Sequence, residues 1–263
     1  MQIDIYQEIA RIKNEEKEAA VVTVISATGS SPRKEGAKML VNPDGSILGT
    51  IGGGNVELQI IKEAIKVIAR DKPQRFSYRL KEGDELGMLC GGDIDVFIEP
   101  VSSAPTMFIF GGGHIALPLS RMASIAGFKI AIIDDRLEYA NLQRFPEAGL
   151  TLVTDFSEAF SKLNIGKSGY IVIVTHGHKG DEVVLEGALK TKAKYIGMIG
   201  SQTKNKAVYS HLMEKGISAQ MLERVYAPIG LSIHAQTPEE IAVSILAEVI
   251  EVKRASVDSR GNK

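Results

Sequence analysis

The stretch "FIFGGGHIALPLSRMASIAGFKIAIIDD", residues 108–135, decides the fold. An apolar run, a glycine turn, a helix-periodic segment and a second apolar run ending in two acids read as strand, helix, strand. Between the first strand and the helix stands Gly111-x-Gly113-x-x-Ala116. The first glycine permits a tight turn, and the second lets a pyrophosphate approach backbone N–H groups. The small third residue allows close helix–strand packing. Asp134 and Asp135 follow about 20 residues on, where an acid accepts from ribose hydroxyls, and Asp134 is the expected contact. His114 falls in the first turn of the helix. There it either reaches a phosphate or a metal-bound oxygen, or simply stands exposed. The same pattern also fits a Rossmann sheet whose turn binds nothing.

Working outward, the apolar runs "MFIF", "KIAIID", "LTLVT", "YIVIVT", "YIGMIG" and "RVYAP" alternate with helical segments up to residue 254. That rhythm predicts a doubly wound parallel sheet covered on both faces. Its last helix is signalled by Thr237 as N-cap, Pro238 at N1 and Glu240 at N3. With strand order 3-2-1-4-5-6, strands 1 and 4 flank the ligand crevice. "THGHKGD" follows strand 4, so His176, His178 and Asp181 are expected beside the glycine turn, with Gly200 and Ser201 beyond them after strand 5. His-x-His followed by an acid also occurs in metallo-β-lactamase-type hydrolases. Lys179 and Gly180 stand where those enzymes carry aspartate and histidine, and only His211 and His234 remain downstream. The reading is a histidine ligand contact, not a zinc site.

The first hundred residues have a different rhythm. Ile5, Ile9 and Ile12 are spaced for a helix, "AAVVTVISA" reads as a strand, and "AKMLVNPDGSILGTI" as a hairpin around Pro-Asp-Gly. After "GGG", Val56, Ile60, Ala64, Ile65 and Ile68 mark an amphipathic helix. "RFSYRL" and "DIDVFIEP" alternate as strands, with Ile94, Val96 and Ile98 on one face. This is an α+β pattern. The expected organisation is a small α+β domain over residues 1–101, a linker "VSSAPT", a Rossmann-like domain over 106–255 and a tail over 256–263.

Composition bounds the function. With 31 basic and 32 acidic side chains among 263 residues, the net charge of -1 gives no support to nucleic acid or anionic lipid as a main partner. No apolar run reaches the roughly 18 residues of a membrane span. The amphipathic, acidic N-terminus does not read as a signal peptide. The single cysteine, Cys90, suits a reducing compartment, and the expected location is cytoplasmic.

Several segments together resemble the XdhC/CoxI family of accessory proteins for xanthine dehydrogenase and related molybdenum hydroxylases. They are "VISATGSSPRKEGAKMLV", "GTIGGGNVE", "LCGGDIDVFIEP", "FGGGHIALPLSRMASIAGFKIAIIDDR", "RFPEA", "VTHGHKGDEVVLEGAL", "YIGMIGSQTK" and "TPEEIAVSILAEVI". The resemblance spans nearly the whole chain. It implies a small N-terminal domain followed by a Rossmann domain. It also implies a role in holding molybdenum cofactor, supporting its sulfuration beside a cysteine desulfurase, and inserting it into an apo-hydroxylase. Two motifs depart from the family: Asn55 stands where many members carry cysteine, and "GLSIHA" replaces "GLDIGA", so Ser232 and His234 take the places of an acid and a glycine.

For the implied ligand, the turn at Gly111 and Gly113 suits a phosphate end, and Asp134 suits a ribose if the cofactor is in its cytosine dinucleotide form. Gly52, Gly53 and Gly54 with Cys90, Gly91 and Gly92 are expected to form a second wall whose backbone N–H groups approach an anionic ligand. Cys90 is either a functional thiol, and then the only one, or a small buried residue. Arg33 either meets a phosphate, which its fork suits, or only solvates the turn, whereas Lys34 reads as solvated. The competing functions are an NAD(P)-dependent oxidoreductase and a dinucleotide-sensing regulatory module. A homodimer is compatible with an apolar fraction of 44%.

Overall fold

The computed structural model describes residues 4–15, 17–29, 33–80, 92–101 and 103–255. The chain divides into two compact units between Ser103 and Ala104.

The first unit contains α1 (Ile5–Asn14), β1 (Ala19–Ala27), β2 (Lys38–Val41), β3 (Ile47–Gly49), α2 (Gly54–Arg70), β4 (Gln74–Leu80) and β5 (Gly92–Val101). Its strands form one antiparallel sheet of order β3-β2-β1-β5-β4. The Pro-Asp-Gly hairpin closes as read: Gly45, at φ +83°, donates to the Asn42 carbonyl, and Asp44 accepts from the Ser46 N–H. Ala20, Val22 and Val24 of β1 pack under Val56, Ile60, Ala64 and Val67 of α2, together with Ile94, Val96 and Ile98. Ala19 and Val21 face the other way, with Ile12 of α1. Both faces of the sheet are covered, which is why β1 reads as an unbroken apolar run rather than an alternation.

The second unit contains β6 (Thr106–Phe110), α3 (Ala116–Ile125), β7 (Lys129–Asp134), β8 (Leu150–Val153), α4 (Phe156–Lys162) and β9 (Gly169–Ile173). These are followed by α5 (His178–Leu189), β10 (Tyr195–Met198), α6 (Gln202–Glu214), α7 (Ala219–Leu222), β11 (Val225–Tyr226) and α8 (Pro238–Arg254). The sheet is fully parallel, with order β11-β10-β9-β6-β7-β8. Counted within this unit the order is 3-2-1-4-5-6, the doubly wound arrangement the rhythm predicts. Met107, Ile109, Ile130, Ile132 and Val172 pack against α3 and α8. Their neighbours Phe108, Phe110, Ala131, Ile133 and Ile171 pack against α4, α5 and α6.

The capping box on α8 forms, with Thr237 and Glu240 bonding reciprocally. α8 is pinned deeper in by Glu248, which accepts from the Tyr195 hydroxyl at 2.5 Å and from the Gly230 N–H at 3.1 Å. Among the described residues no helix is long and apolar enough to cross a membrane.

Candidate functional site

The strand order brings the exits of β6, β7, β9 and β10 to one edge of the sheet, and the predicted Rossmann residues lie on these exits. Gly111 follows β6 at φ +103°. A Cβ there would overlap the Val174 carbonyl and Thr175, so the turn and the β9 exit touch directly. Gly112 has the same constraint against the Tyr139 carbonyl. Gly113 has none: a Cβ would meet nothing within 4 Å. Packing therefore accounts for the first two glycines, and the third opens onto free space. His114 is exposed, in the turn just before α3, while Ala116 is fully buried as the third small position requires.

Asp134 departs from its expected role. Its side chain is completely buried, and its oxygens accept from the Gly112 N–H at 2.8 Å, the Arg136 N–H at 3.1 Å and the Arg136 guanidinium at 2.9 and 3.2 Å. Burial pushes its pKa up. The guanidinium and the two backbone donors outweigh that and hold it below the ordinary aspartate range. A carboxylate so engaged braces the turn. The acid exposed at this strand end is Asp135, with 39% of its side chain accessible and Oδ1 at 3.8 Å from Nδ1 of His176. Asp134, Asp135 and His176 each bring a possible ligand atom within 4.8 Å of the others. Arg136 Nε lies 2.9 Å from Asp134 and 3.6 Å from Asp135, so a guanidinium already supplies the cation there.

Beyond β9, Asp181 is also fully buried. It accepts from the Thr175 N–H at 3.2 Å, the Thr175 hydroxyl at 2.7 Å and Lys204 Nζ at 2.6 Å. It ties the β9 exit to the first turn of α6. Ser201 caps α6 by accepting from the Lys204 N–H, and Gly200 sits at φ +148° with its carbonyl receiving Asn205 Nδ2 at 3.3 Å. His211 pairs with Glu182 at 2.8 Å across α5 and α6.

The first unit corrects the second expectation. The N–H groups of Ile51, Gly52 and Gly53 already have acceptors within the chain, Thr50 Oγ1 taking that of Gly52 at 3.1 Å. Glu57 Oε2 accepts from Ile51 at 3.0 Å, Gly53 at 3.1 Å and the Thr50 hydroxyl at 2.5 Å. Partial burial raises the Glu57 pKa, but these donors outweigh it and leave the group below the ordinary glutamate range. The chain's own carboxylate fills the anion nest. Gly92 likewise has a packing reason, since a Cβ there would overlap the carbonyl of Thr28, just past the end of β1. Cys90 and Gly91 lie outside the described residues.

Sequence reasoning named Asp135 but chose Asp134 over it, and it missed Glu57, Arg136, Arg144 and Lys204. Their signals were present: an acid four residues after a glycine, a second acid at the strand end, and the arginine of "RFPEA".

Strand order and glycine turn define a Rossmann-type domain that follows an antiparallel α+β unit in the chain. Residues 107–249 match the XdhC Rossmann domain, and residues 13–79 match the XdhC and CoxI family. The chain belongs to the XdhC and CoxI family. It is 34% identical to the uncharacterized protein YqeB of Escherichia coli K12 over 254 residues, 95% of this chain but 46% of that protein, so it spans about half the length of that relative. It is 23% identical to a probable xanthine dehydrogenase subunit of Bacillus subtilis, covering 91% of this chain and 94% of the other. Identity to the molybdenum cofactor insertion chaperone PaoD of Escherichia coli is 24%, over 90% and 84% of the two chains. A crystal structure from Bacillus halodurans, described as a xanthine dehydrogenase, superposes with a TM-score of 0.53 at 24% identity over 98% of each chain. This last likeness supports the fold.

Proposed function

We propose that this chain is an accessory factor that holds molybdenum cofactor in the crevice of its Rossmann half and delivers it to a xanthine dehydrogenase-type molybdenum hydroxylase. The observation that carries the reading is Gly113. Neither its backbone angle nor its packing requires a glycine, yet it stands in a turn whose other two glycines are sterically necessary. The N–H groups of Gly113 and His114 have no partner among the described residues, which fits the phosphate of a pyranopterin. Asp135, His176, Gly200, Ser201 and Lys204 line the neighbouring strand exits and would orient the polar remainder of the ligand. Membership of the family, with one relative named as a cofactor insertion chaperone, supports the same reading.

The finer parts of the proposal are a cytoplasmic protein, assisted sulfuration with a cysteine desulfurase, a homodimer, and Cys90 as the one available thiol. Anaerobic incubation with molybdenum cofactor, then gel filtration and metal analysis, tests the core claim. Stoichiometric molybdenum in the protein peak is expected. Tight NAD binding without molybdenum would overturn it in favour of a dinucleotide sensor, the second reading that exposed Asp135 at the ribose position favours. Cys90→Ser with unchanged cofactor retention and unchanged hydroxylase activation would remove the thiol from the mechanism.

A further inference from the structure

The segment that follows β7 closes over the glycine turn and carries two arginines with different surroundings. Arg136 is neutralised by Asp134 and Asp135. Arg144 makes no ion pair with any described residue. Its Nε donates to the Gly112 carbonyl at 3.1 Å, and its Cζ lies 5.2 Å from the centre of the Tyr139 ring and 5.7 Å from that of Phe145. The backbone around it is fixed. Phe145 is fully buried, and Glu147 accepts a short hydrogen bond from the Ser120 hydroxyl of α3.

These contacts determine how one peptide unit is turned. The Gly112 N–H is held by Asp134, and the Gly112 Cα lies against the Tyr139 carbonyl. The Gly112 carbonyl is held by Arg144. A trans peptide is planar, with its C=O and N–H on opposite sides. Fixing the Gly112 oxygen on Arg144 therefore points the Gly113 N–H the other way, and that N–H has no partner among the described residues. An uncompensated guanidinium on the carbonyl also polarises the peptide and strengthens its N–H as a donor.

We infer that Arg144 is a positioning residue that turns and polarises the Gly112–Gly113 peptide so that the Gly113 N–H receives a phosphate or diphosphate oxygen. The inference rests on the crevice being the ligand site, as proposed above, but it does not depend on the ligand carrying molybdenum. Arg144 acts through the backbone and is not itself assigned a ligand contact.

The test uses the full chain, labelled with nitrogen-15, and inorganic pyrophosphate as the probe. In the wild type, pyrophosphate is expected to move the Gly113 amide resonance. Arg144→Met should weaken pyrophosphate binding about tenfold, the loss of one charge-assisted orienting hydrogen bond. Arg144→Gln retains an N–H donor for the Gly112 carbonyl and should fall between the two, with a thermal melt close to wild type. Wild-type protein that shows no pyrophosphate shift at Gly113 overturns the inference, whichever variants fold. So does a folded Arg144→Met protein that binds as tightly as wild type. Failure to retain molybdenum cofactor, alongside an Arg144-dependent pyrophosphate shift, would instead sink the cofactor reading and leave the positioning role standing.

Discussion

Two glycine runs precede a helix in this chain, "GGGN" at residues 52–55 and "GGGH" at 111–114, and they look alike in one dimension. In the first, Glu57 reaches back from α2 and takes the N–H groups of Ile51 and Gly53, while Thr50 takes that of Gly52. In the second, Asp134 takes only the N–H of Gly112, while those of Gly113 and His114 stay unpaired among the described residues. A glycine run makes backbone donors reachable, and the nearest carboxylate decides whether a ligand is needed to meet them.

The largest effect separating the two turns is steric. Gly112→Ala drives a Cβ into the Tyr139 carbonyl and should cost more than about 3 kcal/mol in denaturant melts. Gly113→Ala should change stability by no more than about 0.5 kcal/mol and reduce cofactor and pyrophosphate retention. Equal losses from both would remove the reason to treat Gly113 as a ligand position.

Next comes the buried pair behind the crevice. Asp181→Ala leaves the Lys204 ammonium and the Thr175 N–H without their acceptor, and should destabilise the second unit by about 3 kcal/mol. A loss below about 1 kcal/mol would mean that water replaces the carboxylate.

Glu57→Ala should cost about 1 kcal/mol, the scale of a lost helix cap. Millimolar sulfate is expected to restore part of that stability by occupying the emptied nest, an effect absent from wild type. The pH dependence has a definite sign. The folded pKa of Glu57 is depressed, so its contribution is complete above the ordinary glutamate value of about 4.3 and is lost as pH falls through the folded pKa. Urea melts of wild type and Glu57→Ala should therefore converge at acid pH, and curves that stay parallel would break the assignment. The smallest effect belongs to Asp135→Asn, expected to change stability by under about 0.5 kcal/mol. Any larger consequence should appear in the preference for nucleotide-bearing over nucleotide-free ligand.

The Rossmann half was legible because its signals are local. Six apolar runs, the glycine spacing of Gly111 and Gly113, and the Thr237–Glu240 box each depend on residues close in sequence. The site was legible only in part. Asp134 and Asp135 are adjacent and chemically equivalent on paper, and burial beside Arg136 alone assigns one to bracing and leaves the other exposed. The loop at Gly52–Gly54 was only partly legible for a related reason: helical spacing returns the Glu57 carboxylate to the loop it follows. A reading that sees glycines as open donors overlooks an acceptor already in place.

The amino-acid sequence by itself determined the change of rhythm between the two halves, the alternation of strands and helices in the second and the glycine turn, because apolar periodicity and glycine spacing act over neighbouring residues; the strand order came from the structure. Only the tertiary structure decided which acids are free and which N–H groups remain open. Those outcomes depend on contacts such as Arg144 with Gly112, 32 positions apart, and Lys204 with Asp181, 23 apart, whose partners no local pattern names.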